Sequence, residues 1–350
     1  MVRDDFQKLV ATAWKHDEEL GRGYLLLSTS HQYGKIWQWE TGGGPIPIGK
    51  TLSMVNSGCR SEFHQNCSLP DSGSGGIIVD SLHEPPRLIV AEWGEGRISR
   101  LEENGARTPL IIQLTSASGE EDRLYRPFQL LMTPFGDLLG LDSTMEGGDI
   151  LWQLPQAHKI PGLESLGVSR KAHSWKELPA ETFSAPQKLL QSRRLGGVAL
   201  VPNNWMKVYV TMRQGDSVTV VVLSIEDDEE EDEDNDDDKV APEENEKVEG
   251  SQKTNKRQSA IFFDYSQYAK EPGPIEIDEK GNMYLAIDGG ILFLSSSGHV
   301  TGRLSIPGIS IVDLTLGDDR FLYISTATKL FRLRVRNKLL QMPTDLVITK

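Results

Sequence analysis

Cysteine is nearly missing from this chain. Cys59 and Cys67 are the only two in 350 residues, too few for a disulfide-built scaffold. His64 lies between them in a loop rich in Gly, Ser and Asn. Three candidate ligands without a standard spacing do not make a closed zinc site, and free thiols are expected. Asn66-Cys67-Ser68 is a glycosylation sequon, meaningful only in a secreted protein. Long apolar runs are missing too. The longest aliphatic stretch, Val218–Ile225, is interrupted by Thr219 and Ser224, far short of the roughly 20 residues of a membrane-spanning helix. Residues 1–19 carry Arg3, Asp4, Asp5, Lys8 and Lys15 and hold no apolar core of signal-peptide length. An intracellular, cytoplasmic protein without membrane contact is expected. A basic excess is also lacking. With 37 Lys+Arg against 51 Asp+Glu, no cationic face for nucleic acid is indicated.

The acidity is local. Glu226–Arg257 holds 16 acidic and 5 basic residues, a net of -11 out of the whole chain's -14. Within it, Glu226–Asp238 has 12 carboxylates in 13 positions, interrupted only by Asn235. Such a segment cannot bury apolar surface and is expected to be a disordered insertion, 226–258. It is read either as a solvated insertion or as an arm that contacts a basic protein partner. It lacks the Gly-centred spacing of a calcium loop.

What is present in quantity is repetition. Six stretches read as an apolar strand, a turn rich in Gly, Asp, Glu or Thr, and a second apolar strand. They are Tyr24–Trp39, Arg87–Leu101, Asp137–Leu154, Lys207–Ser224, Asn282–Ser295 and Phe321–Val335. Most follow a further short strand, as at Gly76–Asp80, Phe128–Pro134, Gly197–Pro202, Ile275–Asp278 and Ile311–Leu316. A fourth strand often follows, as at Ala260–Tyr265 and Val300–Ile306. Four strands per unit in six units predict an all-β, six-bladed β-propeller of four-stranded blades, with the acidic insertion in blade four. The propeller domain takes residues 1–225 and 259–350, with a tail from about 337. Phe6–Val10 is expected to close the ring as the outer strand of the last blade.

Certain phrases carry a more specific likeness. GHVTGRLSIPG (Gly298–Gly308) and LYISTATKLFRLR (Leu322–Arg334) form a characteristic ending, while AEWGEGRISRLEENG (Ala91–Gly105) and RLYRPFQLLMTPFGDLLGLDS (Arg123–Ser143) mark the second and third units. Together they resemble the senescence marker protein, gluconolactonase and luciferin-regenerating enzyme family of six-bladed propellers. The resemblance runs through most of residues 9–335, outside the acidic segment and 156–187. It implies a divalent cation such as calcium at the mouth of a central channel, held by a glutamate, one or two asparagines and an aspartate. There the metal would polarise a lactone carbonyl and activate water for ring opening.

Carried over position by position, the ligands fall on Val10 (four residues before Trp14), Phe128, Gly196 and Gly273, with Gln129 at the aspartate beside the first asparagine. None of the four has an oxygen-bearing side chain, and calcium or magnesium needs hard oxygen donors. No cofactor is therefore expected. Glu92, Arg126, Gln129 and Asp142 are the polar candidates near the same mouth. Arg126 is suited to a carboxylate or phosphate, and Glu92 or Asp142 to general-base work. Structural alternatives stand beside these: Asp142 as a turn cap, and Glu92 paired with Arg97 or Arg100 in an exposed pair. No serine-hydrolase elbow and no P-loop occur. Three readings follow. The chain is a degenerate, non-catalytic propeller that binds a small molecule in its central channel or nothing, an active lactone or ester hydrolase with a relocated site, or an interaction scaffold using the acidic arm.

Overall fold

The structure is a computed structural model. It describes residues 9–17, 22–29, 35–40, 52–57, 74–82, 86–93, 96–102, 107–111, 114–115, 121–122, 124–144, 147–160, 186–225 and 259–337. Cys59, His64, Cys67, the segment 226–258 and the tail beyond 337 lie outside them.

Six antiparallel sheets succeed one another along the chain, each built in simple meander order. Blade 1 comprises Leu9–Asp17, Arg22–Thr29, Lys35–Glu40 and Leu52–Ser57. Blade 2 comprises Ser74–Asp80, Arg87–Glu92, Arg97–Leu101 and Arg107–Ile111. Blade 3 comprises Arg126–Met132, Leu138–Ser143, Asp149–Leu154 and Gln187–Ser192. Blade 4 comprises Arg194–Val201, Asn204–Gln214, Ser217–Ser224 and Ser259–Asp264. Blade 5 comprises Ile275–Ile277, Met283–Ile287, Gly290–Leu294 and Val300–Ser305. Blade 6 has three described strands, Ile311–Leu316, Phe321–Thr326 and Leu330–Arg334. Outside the blades are a two-residue pairing of Leu114–Thr115 with Glu121–Asp122 and a single 3-10 turn at Ala157–Lys159.

The first strands of successive blades are neighbours around the ring, and blade 6 meets blade 1 to close it. The core follows from this arrangement. Alternate residues of a strand leave opposite faces of its sheet, so each blade has two apolar faces to cover. The buried residues accordingly form six clusters, one for each seam. Blade 3 shows the division. Leu138, Ile150 and Trp152 pack toward blade 2, while Leu139, Leu141 and Leu151 pack toward blade 4. The ring-closing seam joins Leu9, Trp14, Leu25, Leu27 and Trp39 to Tyr323 and Leu330. Trp14 stacks on Tyr323 at 5.7 Å, and Trp39 meets the same ring edge-on at 5.8 Å.

One expectation is corrected here. Leu9 and Val10 do not belong to the outer strand of the last blade but open the innermost strand of blade 1. The reason is packing: Leu9 is buried in the closing seam, and its N–H donates to the Ala327 carbonyl at 2.8 Å. Residues 6–8 lie outside the described residues. The acidic segment joins the third and fourth strands of blade 4, which pair up to Leu223 opposite Ser259. Its two ends therefore emerge at the face that carries the Val201–Asn204 turn, away from the face where consecutive blades are linked.

Candidate functional site

The first strand of nearly every blade begins with an irregularity. Pairing with the second strand slips between Leu9 and Ala11, Ser74 and Ile77, Pro127 and Gln129, Leu195 and Gly197, and Ile311 and Asp313. The extra residues are Val10, Gly75 with Gly76, Phe128, Gly196 and Val312. A bulge leaves one residue unpaired and re-aims its neighbours. Three of the four positions carried over from the family, Val10, Phe128 and Gly196, are such bulge residues at the inner rim. The fourth, Gly273, lies just before the inner strand of blade 5.

The residues at these positions do not fit a divalent metal. Val10 and Phe128 offer hydrocarbon. A Cβ placed on Gly196 would stand 2.4 Å from the carbonyl carbon and oxygen of Pro272, and one on Gly273 would stand 2.6 Å from the Ala286 oxygen. Backbone occupies the volume a ligating side chain would need. Among the described residues, no three His, Cys, Asp or Glu side chains are grouped to share an ion.

The polar candidates are mostly engaged in holding the ring. Glu92 is 2% exposed, and its carboxylate accepts from Arg97 Nε and from Ser99 Oγ, the latter at 2.7 Å. The pairing with Arg97 is thus buried, not exposed as expected. Asp142 is 1% exposed and accepts the backbone N–H groups of Tyr125 at 3.1 Å and Arg126 at 2.6 Å. It fixes the entry into blade 3. Gln129 reaches across to blade 4, accepting from Val198 N at 2.9 Å and donating to Val198 O at 3.3 Å. Arg126 is exposed, with its guanidinium 5.7 Å from the Trp93 ring and 5.1 Å from the Tyr125 ring. Trp93 itself donates to Pro127 O at 2.7 Å, so this platform spans blades 2 and 3.

Two acids on the inner strands escaped the sequence reading. Asp313, in blade 6, accepts Thr12 N at 2.6 Å and Thr12 Oγ1 at 2.9 Å from blade 1, and its own neighbour Leu314 N at 2.9 Å. Thr12 Oγ1 also lies 2.6 Å from Thr315 Oγ1. Burial pushes the Asp313 carboxyl up to about 7 despite these donors. Glu276, in blade 5, is only partly covered, and its one hydrogen bond among the described residues is a 3.4 Å contact from Ile277 N. Burial first, and then the charge of Asp313, push Glu276 up to about 8. Near neutral pH this pair holds a proton, and Glu276 can present it as a donor or withdraw it as an acceptor. The signal in the sequence was a lone carboxylate in the middle of an apolar inner strand, Ile-Glu-Ile and Val-Asp-Leu.

No family model matches the chain, and no curated protein matches it in sequence. Solved structures do match in shape. A gluconolactonase from Xanthomonas campestris has a TM-score of 0.61 at 15% identity, covering 96% of this chain and 88% of that one. The calcium-binding protein regucalcin from Agrobacterium tumefaciens has a TM-score of 0.53 at 9% identity, covering 98% and 96%. The fold is the six-bladed propeller these proteins share. Fold alone does not carry activity.

Proposed function

We infer that this chain is a gluconolactonase-type propeller that has given up the family's metal-dependent lactone hydrolysis and binds a small polar molecule in its channel. One observation carries the reading. Val10, Phe128, Gly196 and Gly273 stand where the resemblance asks for oxygen ligands, and at the two glycines neighbouring backbone fills the space. Lewis-acid chemistry needs a held ion with an open coordination position, and this rim supplies no donors for one. Glu276 is the group best suited to meet a ligand. Its weakly bonded carboxyl, proton-bearing near neutral pH, can donate to a carbonyl or hydroxyl oxygen.

The test is lactone opening, followed with glucono-δ-lactone in the presence of calcium, magnesium, manganese or zinc, after prior chelator treatment. Rates equal to the spontaneous reaction with every metal are expected, together with an unchanged thermal midpoint. A saturable, metal-dependent rate would overturn the reading.

A further inference from the structure

Blade 6 carries a row of arginines. Its third strand is Leu330–Arg334, and the stretch from Leu330 to Asn337 holds Arg332, Arg334 and Arg336 and no acid. The register sets Arg332 opposite Tyr323 and Arg334 opposite Phe321. Both aromatics pack in the closing seam, so these two arginines leave the sheet on that side, while Phe331 and Leu333 pack toward blade 5. Arg332 is anchored, with its guanidinium 4.6 Å from the Phe321 ring. Arg334 and Arg336 are exposed.

A fourth arginine joins the row from the turn between the blade's first two strands. Arg320 is exposed, and its carbonyl accepts Val335 N at 2.9 Å, which places its backbone beside the row. Its φ is +65°, a conformation that favours glycine. The matching turns of blades 3 and 5 use glycine, Gly136 at +85° and Gly281 at +78°, each donating its N–H to the carbonyl three residues back as Arg320 does. Blade 6 thus accepts backbone strain at the position where it displays an arginine.

The nearby carboxylates are engaged. Asp318 is tied to His16. Asp319 accepts from the Tyr323 hydroxyl at 2.6 Å and from Phe321 N at 3.1 Å. Burial raises its carboxyl, and these donors and the charge of Arg332 pull it back. Asp278 is buried and accepts Asn337 Nδ2 at 2.7 Å and the Tyr284 hydroxyl at 3.1 Å. Among the described residues, none of Arg320, Arg334 and Arg336 is paired with a carboxylate.

We propose that this arginine row docks an extended acidic segment of a partner protein, with carboxylates at alternate residues. A strand advances about 3.3 Å per residue, so Arg332 and Arg334 stand about 7 Å apart, and alternate side chains of an extended peptide recur at the same interval. Guanidinium forks match the paired oxygens of carboxylates. Single-stranded nucleic acid fits less well, because such sites add aromatic rings on which bases stack, and Phe321 is covered by Arg332. The exposed large apolar side chains among the described residues all lie outside blade 6, which gives a membrane no purchase there. The inference does not depend on what the channel binds.

A fluorescein-labelled peptide of alternating Glu and Thr, followed by anisotropy in rising chloride, tests it. Saturable binding that weakens steeply with salt is expected. R334A/R336A should bind about tenfold more weakly or worse, with an unchanged melting midpoint because both side chains are exposed. R320G should also bind more weakly while its midpoint stays or rises, since glycine suits the turn. R194A, which removes an exposed arginine of blade 4, should bind as the parent does. Replacing 226–257 by a short turn should change the affinity by less than about tenfold; a larger rise would make the chain's own acidic run the occupant and overturn the partner assignment. No saturable binding, equal binding by R334A/R336A and the parent, or tighter binding of oligothymidine of the same charge also overturns the proposal.

Discussion

Thr12 and Asp313 stand 301 residues apart in the chain, yet both the N–H and the hydroxyl of Thr12 donate to one carboxylate oxygen of Asp313. The contact joins the inner strands of the first and last blades. Other seams use the same device, a polar group of one blade bonded to the inner strand of the next or to the residues just ahead of it: Trp93 to Pro127, Gln129 to Val198, Asp149 to Leu195, and Thr211 Oγ1 to Gly273 O at 2.7 Å. At the closing seam, D313A should destabilise the domain by about 2–4 kcal/mol, since it strands buried donors. D313N keeps one acceptor and should lose less. Urea denaturation of the two variants checks the order, and equal losses would mean that the carboxyl is not what holds the seam.

The two inner-strand acids set a direction for pH. Both folded values, about 7 for Asp313 and about 8 for Glu276, lie above the ordinary 3.8 and 4.5. The folded state therefore holds protons that the unfolded chain has lost. Their contribution is fully present below about pH 4, declines as pH rises, and is gone above about pH 8. Each group adds at most one proton's worth of slope across that window, and Glu276 less because solvent reaches it. In denaturation series from pH 5 to 9, E276Q should flatten the decline relative to the parent. Parallel curves would remove Glu276 from the account.

Introducing oxygen ligands at the rim should fail. G196N and G273D each force a side chain into backbone, and overpacking of this kind costs about 1–3 kcal/mol or more. The expected result is a lower melting midpoint for both variants and no rise with calcium. A metal-dependent rise in the double variant would show that the rim can open to take a ligand shell.

The buried pair Glu92–Arg97 makes a sharper mutational prediction than an exposed one would. Removing Arg97, as in R97M, takes the guanidinium from a buried carboxylate that keeps the Ser99 hydroxyl, and should cost about 3–5 kcal/mol. Replacing both, as in E92M/R97M, should recover much of that loss. If the double variant is no more stable than R97M, the loss is one of packing and not of charge.

The segment 226–257 should be separable from the fold, because the strands that flank it pair directly, Leu223 opposite Ser259. Joining them by a short turn should leave the melting midpoint unchanged within a few degrees, since loop length enters the closure entropy only logarithmically. The same deletion should abolish binding to polylysine, and in the intact chain that binding should weaken steeply with salt. Retained polylysine binding after the deletion would place the acidic surface elsewhere.

Much of the fold was legible because two-residue periodicity is imposed by physics at short range. Ile311–Leu316 was read with its observed limits, and the six hairpins all appeared. What escaped depends on where a residue lands in three dimensions. Nothing in the local sequence says that Glu276 and Asp313 would sit on neighbouring inner strands. Glu92 and Asp142 looked like chemistry from their types and positions. Both are buried, Glu92 with the side-chain donors of Arg97 and Ser99 and Asp142 with the backbone N–H groups of Tyr125 and Arg126. Gly196 and Gly273 were read as missing ligands, and only the approach of Pro272 and Ala286 gives a physical reason for glycine there.

The closing seam also sets the order in which the molecule can be finished. Leu9, Trp14, Leu25 and Trp39 are made early, but the Tyr323 and Leu330 side chains that cover them are made roughly 300 residues later. At synthesis rates of about 5–20 residues per second, this apolar face stays open to solvent for some 15–60 s. During that interval a nascent chain is an open crescent with a sticky edge. Its aggregation hazard belongs to biosynthesis and not to the finished ring.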